Sequence, residues 1–280
     1  MKDRKALIFD VDGVLVDTSR SFPNVVFTAI QWWSKYKLGL SIDCRPFGEE
    51  HYKITKNHPS FNDDYDIAWA FISFLSSRKA KKLSENRITP AEWSRILSSC
   101  KEDNPIPWVY STFKSAPERE KVRRLCEEIY FGKDALQNIN GRSPQNIFAR
   151  GLWHLESPNI TTHWSQFDLP VGIYTGRSRF ELKLALEILG WSDLPEEHYV
   201  TSDMGITKPS PEGFYILSKT LKFDSIYYFG DTKSDLEAFK AYGKGTFFAI
   251  GNYLEGYPNS FENLKEALAF LFARKLACPK

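Results

Sequence analysis

Long hydrophobic runs are missing from this 280-residue sequence. No stretch approaches the roughly 18 apolar residues that a membrane-crossing helix needs, so no membrane partner is expected. The first apolar run is short, follows Lys2, Asp3, Arg4 and Lys5, and ends in carboxylates, which does not suit a secretory signal. Cysteine is scarce. Cys44, Cys100, Cys126 and Cys278 are far apart and show no CxxC spacing. They are expected to be free thiols in a reducing cytoplasm, not a disulfide frame or a zinc site. An excess of one charge is lacking too. The 37 Lys and Arg stand against 35 Asp and Glu, interspersed, for a net charge of +2. That gives no electrostatic case for nucleic acid. The densest basic cluster, Lys79-Ala80-Lys81-Lys82, reads as a solvated helix face. Internal repeats and low-complexity tracts are absent.

What is present begins with a hydrophobic content of 42%, enough for a real core. The stretch Ala6-Leu7-Ile8-Phe9-Asp10-Val11-Asp12-Gly13-Val14-Leu15-Val16-Asp17-Thr18 is the most informative. Ala6 to Phe9 reads as a buried strand, an unbroken apolar run bounded by charge. It delivers Asp10 and Asp12 at its C-terminal end, where open α/β sheets hold ligands.

From Ser19 to about Ser157 no further run of that kind occurs. Amphipathic segments predict helices over Val25 to Tyr36, Tyr65 to Ser77, Pro90 to Ser99 and Pro117 to Tyr130. Thr89-Pro90-Ala91-Glu92 has the residues of a helix start, with Thr89 as N-cap and Glu92 at N3. Trp32, Trp33, Trp69, Trp93 and Trp108 are expected to pack helix against helix. After Pro158 strands alternate with helices. Leu169 to Gly176 ends in a small polar pair, Arg179 to Leu189 is a helix stopped at Gly190, and His198 to Thr201 is a short strand. Pro211 to Leu221, Ile226 to Asp231, Ser234 to Tyr242, Thr246 to Ile250 and Phe261 to Arg274 continue the alternation. The expected fold class is α/β, a Rossmann-like parallel sheet core with helices on both faces. The core comprises 1–17 and 158–280, and a mostly α-helical cap domain comprises 18–157.

Four strand ends and loops then carry complementary polar groups: Asp10 and Asp12, Thr175 and Gly176, Lys208, and Asp231 with Asp235 four residues on. Several carboxylates in one small space imply a cation, and an all-oxygen donor set suits Mg²⁺. A carboxylate beside Mg²⁺ can attack phosphorus and form an aspartyl-phosphate. A hydroxyl, backbone N–H groups and an ammonium can hold the transferring phosphoryl group, and a second carboxyl can carry the proton.

The segments Phe9 to Thr18, Tyr174-Thr175-Gly176-Arg177, Lys208-Pro209-Ser210-Pro211 and Gly230 to Asp235 resemble the four ordered motifs of the haloacid dehalogenase-like hydrolase superfamily. The helical insert directly after the first motif resembles the cap of its phosphoglycolate-phosphatase-like branch. The resemblance implies that Asp10 is the nucleophile and that Asp12 is the general acid/base, with its backbone carbonyl on Mg²⁺. It implies phosphate binding by Thr175, Gly176 and Lys208, with Lys208 also orienting Asp10. Asp10, Asp12 and Asp231 would make the Mg²⁺ site, and Asp235 would support it through a metal-bound water or Lys208. Gly13 would allow the tight turn after the strand. Asp17 is expected to cap the first insert helix. Arg177 is left between a substrate contact and a surface position.

The expected function is a Mg²⁺-dependent phosphatase acting on a small phosphorylated metabolite through an aspartyl-phosphate, with the insert closing over the site. A phosphomutase acting on a sugar phosphate and a catalytically silent ligand-binding member of the fold are the alternatives. A metal-free dehalogenase is disfavoured by Asp12. In the insert, Lys53, Lys56, Asn62 and Asp64 are nominated as substrate contacts in a polar, loop-like stretch. The insert aromatics permit a homodimer without requiring one.

Overall fold

The computed structural model describes residues 3–102, 104–252, 254 and 256–277. The chain divides into two compact units, Met1–Thr18 with Glu156–Lys280, and Ser19–Leu155.

In chain order the elements are β1 (Lys5–Phe9), β2 (Val16–Asp17), α1 (Phe22–Tyr36), α2 (Glu49–Lys56), α3 (Asp64–Ser76), α4 (Pro90–Leu97), α5 (Pro105–Thr112) and α6 (Arg119–Asn140). They continue with β3 (Ser157–Pro158), β4 (Val171–Tyr174), α7 (Arg179–Leu189), β5 (Tyr199–Val200), α8 (Glu212–Leu221), β6 (Ser225–Gly230), α9 (Lys233–Tyr242), β7 (Gly245–Ile250), β8 (Ser260–Phe261) and α10 (Leu264–Ala277).

The first unit is built on a six-stranded sheet of order β5-β4-β1-β6-β7-β8, and every pairing in it is parallel. β1 lies inside this sheet, which explains its unbroken apolar run. Leu7 and Phe9 face one core with helices α7 and α10, while Ala6 and Ile8 face another with α8 and α9. Both faces of the strand are therefore covered, and alternation with polar residues is impossible. Phe9 stacks on Phe229 and Phe229 on Phe248, each at 4.9 Å between ring centroids, so the register of three strands is set partly by an aromatic ladder. Each such pair contributes about 0.5–1.5 kcal/mol beyond burial. The expected α/β class is thus observed, with helices on both faces.

The helix ends follow local chemistry. Ser178 and Glu181 form the capping box of α7, and Gly190 closes it in the left-handed conformation at φ 69°. The last helix begins later than the sequence pattern suggests. Ser260 and Phe261 pair with Ala249 and Ile250 as β8, and α10 starts after Asn263, whose side chain accepts from the Glu266 N–H at 3.0 Å. A two-residue strand is too short to show a periodic signal. Asp17 does not cap α1: it pairs with Ser157 in the antiparallel β2–β3 ribbon, and Ser21 occupies the N-cap position.

The second unit is helical. Residues Asp64 to Leu75 of α3 are buried all round, which makes it the central helix of the unit. Trp33, Trp69, Trp93 and Trp108 are buried and Trp32 is half-buried, in keeping with the packing role expected for them. The Trp93 Nε1–H donates to Thr55 Oγ1 at 2.8 Å, so the polar end of that ring is satisfied inside the core. The capping box at Thr89 and Glu92 forms as expected. Two helices, α2 and α5, escaped the periodicity reading, each being only 8 residues long. The basic cluster Lys79 to Lys82 is exposed or half-buried but lies in a loop after α3, not on a helix.

The long helix α6 is broken at Gly132, with φ 67° and ψ 178°. That conformation belongs to glycine. Its Cα also presses on a second glycine: a Cβ at Gly132 would stand 2.0 Å from the Gly151 nitrogen. Gly132→Ala is accordingly expected to cost about 3 kcal/mol or more. Chemical denaturation checks this, and an unchanged midpoint would show that the close approach is not needed.

Candidate active site

The first unit gathers polar side chains along the C-terminal edge of its parallel sheet. β1 ends at Phe9, and the next residue, Asp10, is tied to the neighbouring strand by its N–H, which donates to Phe229 O at 2.9 Å. The chain then turns sharply. The N–H groups of Val14, Leu15 and Val16 all donate to Val11 O, and Gly13 takes φ 72°. The turn is pressed against the end of β6: a Cβ on Gly13 would lie 2.3 Å from Asp231 Oδ2. Glycine is therefore required twice, for its dihedral and for its missing side chain.

Lys208 sits between two carboxylates. Its Nζ is 2.8 Å from Asp10 Oδ1 and 2.6 Å from Asp235 Oδ1, and all three residues are buried. Burial by itself pushes the Lys208 ammonium down. The charges of Asp10 and Asp235 outweigh it and raise the ammonium above its ordinary range. Asp10 is pushed up to about 7, chiefly by burial, with Lys208 opposing and the charges of Asp235 and Asp12 reinforcing the rise. Burial also pushes on Asp235, but the Lys208 charge and hydrogen bonds from Lys208, Thr232 and Tyr228 hold it below its ordinary value.

Asp235 has its oxygens occupied. Oδ1 accepts from Lys208 and Tyr228, and Oδ2 accepts from the Thr232 N–H and hydroxyl. It is both the N3 acid of the α9 capping box and the second partner of Lys208. Oxygens of Asp10, Asp231 and Asp235 lie within 4.8 Å of one another, a spacing suited to a cation. With Asp235 already committed, Asp10 and Asp231 are the side chains best placed to bind one directly. An oxygen-only donor set fits a hard divalent cation such as Mg²⁺.

Thr175 follows β4, which runs parallel beside β1 with Phe9 opposite Ile173. It is fully buried, and its Oγ1 accepts from the Arg177 N–H at 3.1 Å, so its own hydrogen is still available to donate. Gly176 is exposed, with nothing within 4 Å of where a Cβ would stand. Asp12 is turned from the carboxylate cluster towards Arg177, whose Nε donates to Asp12 Oδ1 at 2.7 Å. Arg177 itself is only 2% exposed and is neither a surface residue nor an open substrate contact.

Several residues of this neighbourhood are given no role by the sequence motifs. Tyr228 donates to Asp235, and Tyr174 donates to Ser210 O at 2.8 Å, which pins the loop that carries Lys208. Both are strand residues whose rings also fill the core, so sequence alone reads them as packing. Glu156, fully buried against Arg177, stands in an irregular segment with no pattern to flag it.

The insert nominees belong to the second unit. Lys53 and Lys56 lie on α2 and Asp64 begins α3, while Asn62 lies in the loop between these helices, so only part of the stretch is loop. Lys56 Nζ is 2.7 Å from Asp64 Oδ2 and 3.2 Å from Asn62 O, and Tyr52 also donates to Asp64. These groups serve to tie one helix to the next. Ile129 to Asp134 lies within α6, where it spans the break at Gly132.

Residues 156–243 match the family model of the haloacid dehalogenase-like hydrolases. A search of the curated proteins found no match. Among solved structures, the phosphatase Tt82 from Thermococcus thioreducens superposes with a TM-score of 0.66 at 23% identity, over 94% of this chain and 98% of that one. A HAD family hydrolase from Deinococcus radiodurans R1 with bound phosphate and sodium gives a TM-score of 0.50 at 14% identity, over the whole of both chains. At these identities the likeness is one of fold.

Proposed function

We propose that this chain, whose residues 156–243 match the family model of the haloacid dehalogenase-like hydrolases, is a Mg²⁺-dependent phosphatase. Its substrate is a small phosphorylated metabolite and its intermediate an aspartyl-phosphate on Asp10. The observation that carries this reading is the buried Lys208 ammonium bridging Asp10 and Asp235 beside Asp231. Such a cluster is costly to bury, and buried carboxyls with perturbed protonation gather at functional sites. The phosphatase Tt82 and the phosphate-bound hydrolase share the fold and support the same direction.

Asp10 and Asp231, with the backbone carbonyl of Asp12, would hold the Mg²⁺. Bound there, the ion supplies charge that offsets the phosphoryl oxygens and keeps Asp10 ionised. The chain does the rest. Lys208 aims the Asp10 carboxylate and offers positive charge to the phosphoryl group, while Asp235 and Tyr228 keep Lys208 in place. The Thr175 hydroxyl and the Gly176 N–H supply neutral donors for the phosphoryl oxygens. Asp12 gives a proton to the departing oxygen and then takes one from the attacking water. The same proposal makes 1–17 with 158–280 the catalytic core and 18–157 the cap. The free thiols of Cys44, Cys100 and Cys126 suit a reducing compartment, while Cys278 lies outside the described residues. Among the described residues no helix is long and apolar enough to cross a membrane.

The purified protein is expected to hydrolyse a generic aryl phosphate with Mg²⁺, to lose that activity in EDTA and to regain it when Mg²⁺ is returned in excess. Hydrolysis that persists unchanged in EDTA would remove the metal from the proposal.

A further inference from the structure

Arg177 is a residue to which neither the sequence motifs nor the family match assigns a task. Its position is unusual. The guanidinium is buried inside the first unit and is shared by two carboxylates from different segments. Its Nε and Nη2 both lie 2.7 Å from the same atom, Asp12 Oδ1. Its Nη2 is also 3.0 Å from Glu156 Oε2, and its Nη1 donates to Glu181 O at 3.2 Å. The Arg177 N–H donates to Thr175 Oγ1. Glu156 is fully buried, and it opens the segment through which the chain returns to this unit.

Two features separate this arrangement from an ordinary ion pair. An arginine that meets a carboxylate for stability alone favours the two-oxygen fork, one nitrogen to each oxygen. Here both nitrogens grip one oxygen, and Oδ2 of Asp12 is left outside the grip. The second feature is the cost. A guanidinium taken out of water must be well paired, and Glu156, buried with it, does the pairing. Because Glu156 and the Glu181 carbonyl fix the arginine independently of Asp12, the arginine can hold Asp12 and does not follow it. Asp12 needs such a hold. It stands on the turn after β1, its side chain is 29% exposed, and a free carboxylate there would sample several rotamers.

We infer that Arg177, itself anchored by Glu156, is a positioning residue that clamps Oδ1 of Asp12 and thereby reserves Oδ2 as the single oxygen that carries the proton to and from the phosphoester. The inference rests on the acid/base role proposed for Asp12 above. In the first half-reaction the Asp10 oxygen bonds to phosphorus as the bond from phosphorus to the leaving oxygen breaks. The proton on Asp12 Oδ2 goes to that leaving oxygen. In the second, Oδ2 takes a proton from water as the water oxygen bonds to phosphorus and the Asp10 oxygen departs, so Asp10 and Asp12 end as they began. A carboxyl that rotates freely performs both transfers less often, without any loss of phosphate binding.

The test is the dependence of kcat/KM on leaving-group acidity, measured over aryl phosphates of similar shape from 4-nitrophenyl to phenyl to 4-methoxyphenyl phosphate. A nitrophenolate departs with little help from an acid, whereas a methoxyphenolate needs it. Arg177→Gln is expected to lose about threefold or less with the first and about 30-fold or more with the last, with the apparent affinity for inorganic phosphate unchanged. Arg177→Lys, which keeps the charge but not the paired grip, should fall between Arg177→Gln and the wild type, and it gives the reading should the glutamine variant not fold. Asp12→Asn serves as the reference: it should steepen the dependence at least as much, and adding Arg177→Gln to it should steepen it no further. Equal losses across the series would mark Arg177 as merely structural and overturn the inference, as would no loss at all. If Asp12→Asn itself leaves the wild-type dependence, the acid role of Asp12 fails and the inference fails with it. If only Asp12→Asn steepens it, the clamp alone is wrong.

Discussion

Asp10→Asn is expected to lower kcat by at least about a thousandfold while leaving the protein folded. The substitution keeps the shape of the side chain and removes the oxygen that would bond to phosphorus. Its effect on stability should be small or favourable when no divalent cation is present. Asp10 is buried within reach of two other carboxylates, and burial has pushed it up to about 7, so its ionised form is held at a cost. An amide in its place removes that charge, and Lys208 keeps its contact with Asp235. Steady-state kinetics with an aryl phosphate and a thermal scan together check the prediction. A variant that turns over like the wild type would show that another group attacks phosphorus. A variant that is inactive because it unfolds would show that Asp10 is structural.

Lys208→Met should be damaging in both respects. Methionine fills a similar volume but removes the ammonium that separates Asp10 from Asp235. Two buried carboxylates would then face each other with one fewer partner, and breaking a buried pair in this way costs about 3–5 kcal/mol. Activity should fall by about a thousandfold or more, because the phosphoryl group loses its positive contact and Asp10 its guide. The double variant Asp10→Asn/Lys208→Met separates the two effects. With Asp10 neutralised, the repulsion that makes the single lysine variant unstable is largely gone, so the double variant should recover much of the lost melting temperature and none of the activity. A Lys208→Met protein as stable as the wild type would mean that Lys208 does not hold the carboxylates together.

Much of the sheet and of this cluster was legible in the sequence for a physical reason. A strand buried on both faces has to be apolar throughout, and a carboxylate at its end then has no structural excuse. Ala6 to Phe9 followed by Asp10, and Ile226 to Gly230 followed by Asp231, show this twice. Helix α7 announced itself through Ser178, Glu181 and Gly190, because capping is local chemistry. Elements fixed by tertiary contacts were hidden. β2 and β8 are two residues long, α2 and α5 hold only two turns, and Asp17 was drawn into a ribbon with Ser157 from the far end of the insert.

The site shows the same division. Asp10, Lys208 and Asp235 were recognisable from motif and type, and the structure brings them into contact. Arg177 stands in a motif segment but its surroundings are not legible there, since the buried partner that explains it, Glu156, lies 21 residues away with no pattern of its own. Tyr228 was hidden by doing two things at once, filling the core with its ring and holding Asp235 with its hydroxyl. Conversely, Lys56 and Asp64 looked functional because polar residues near one another in sequence draw attention, and they prove to satisfy each other.

The central claim, a covalent phosphoryl group on Asp10, is tested most directly by trapping it. Asp12→Asn should slow the water attack that clears the intermediate while a nitrophenyl phosphate still reacts. Acid quenching after mixing with Mg²⁺ and this substrate, followed by digestion and tandem mass spectrometry, should find one added phosphoryl group on the peptide from Ala6 to Arg20, located at Asp10. The adduct should be absent from the Asp10→Asn variant. Turnover by the wild type with a phosphoryl group located elsewhere, or located on Asp12, would contradict the account.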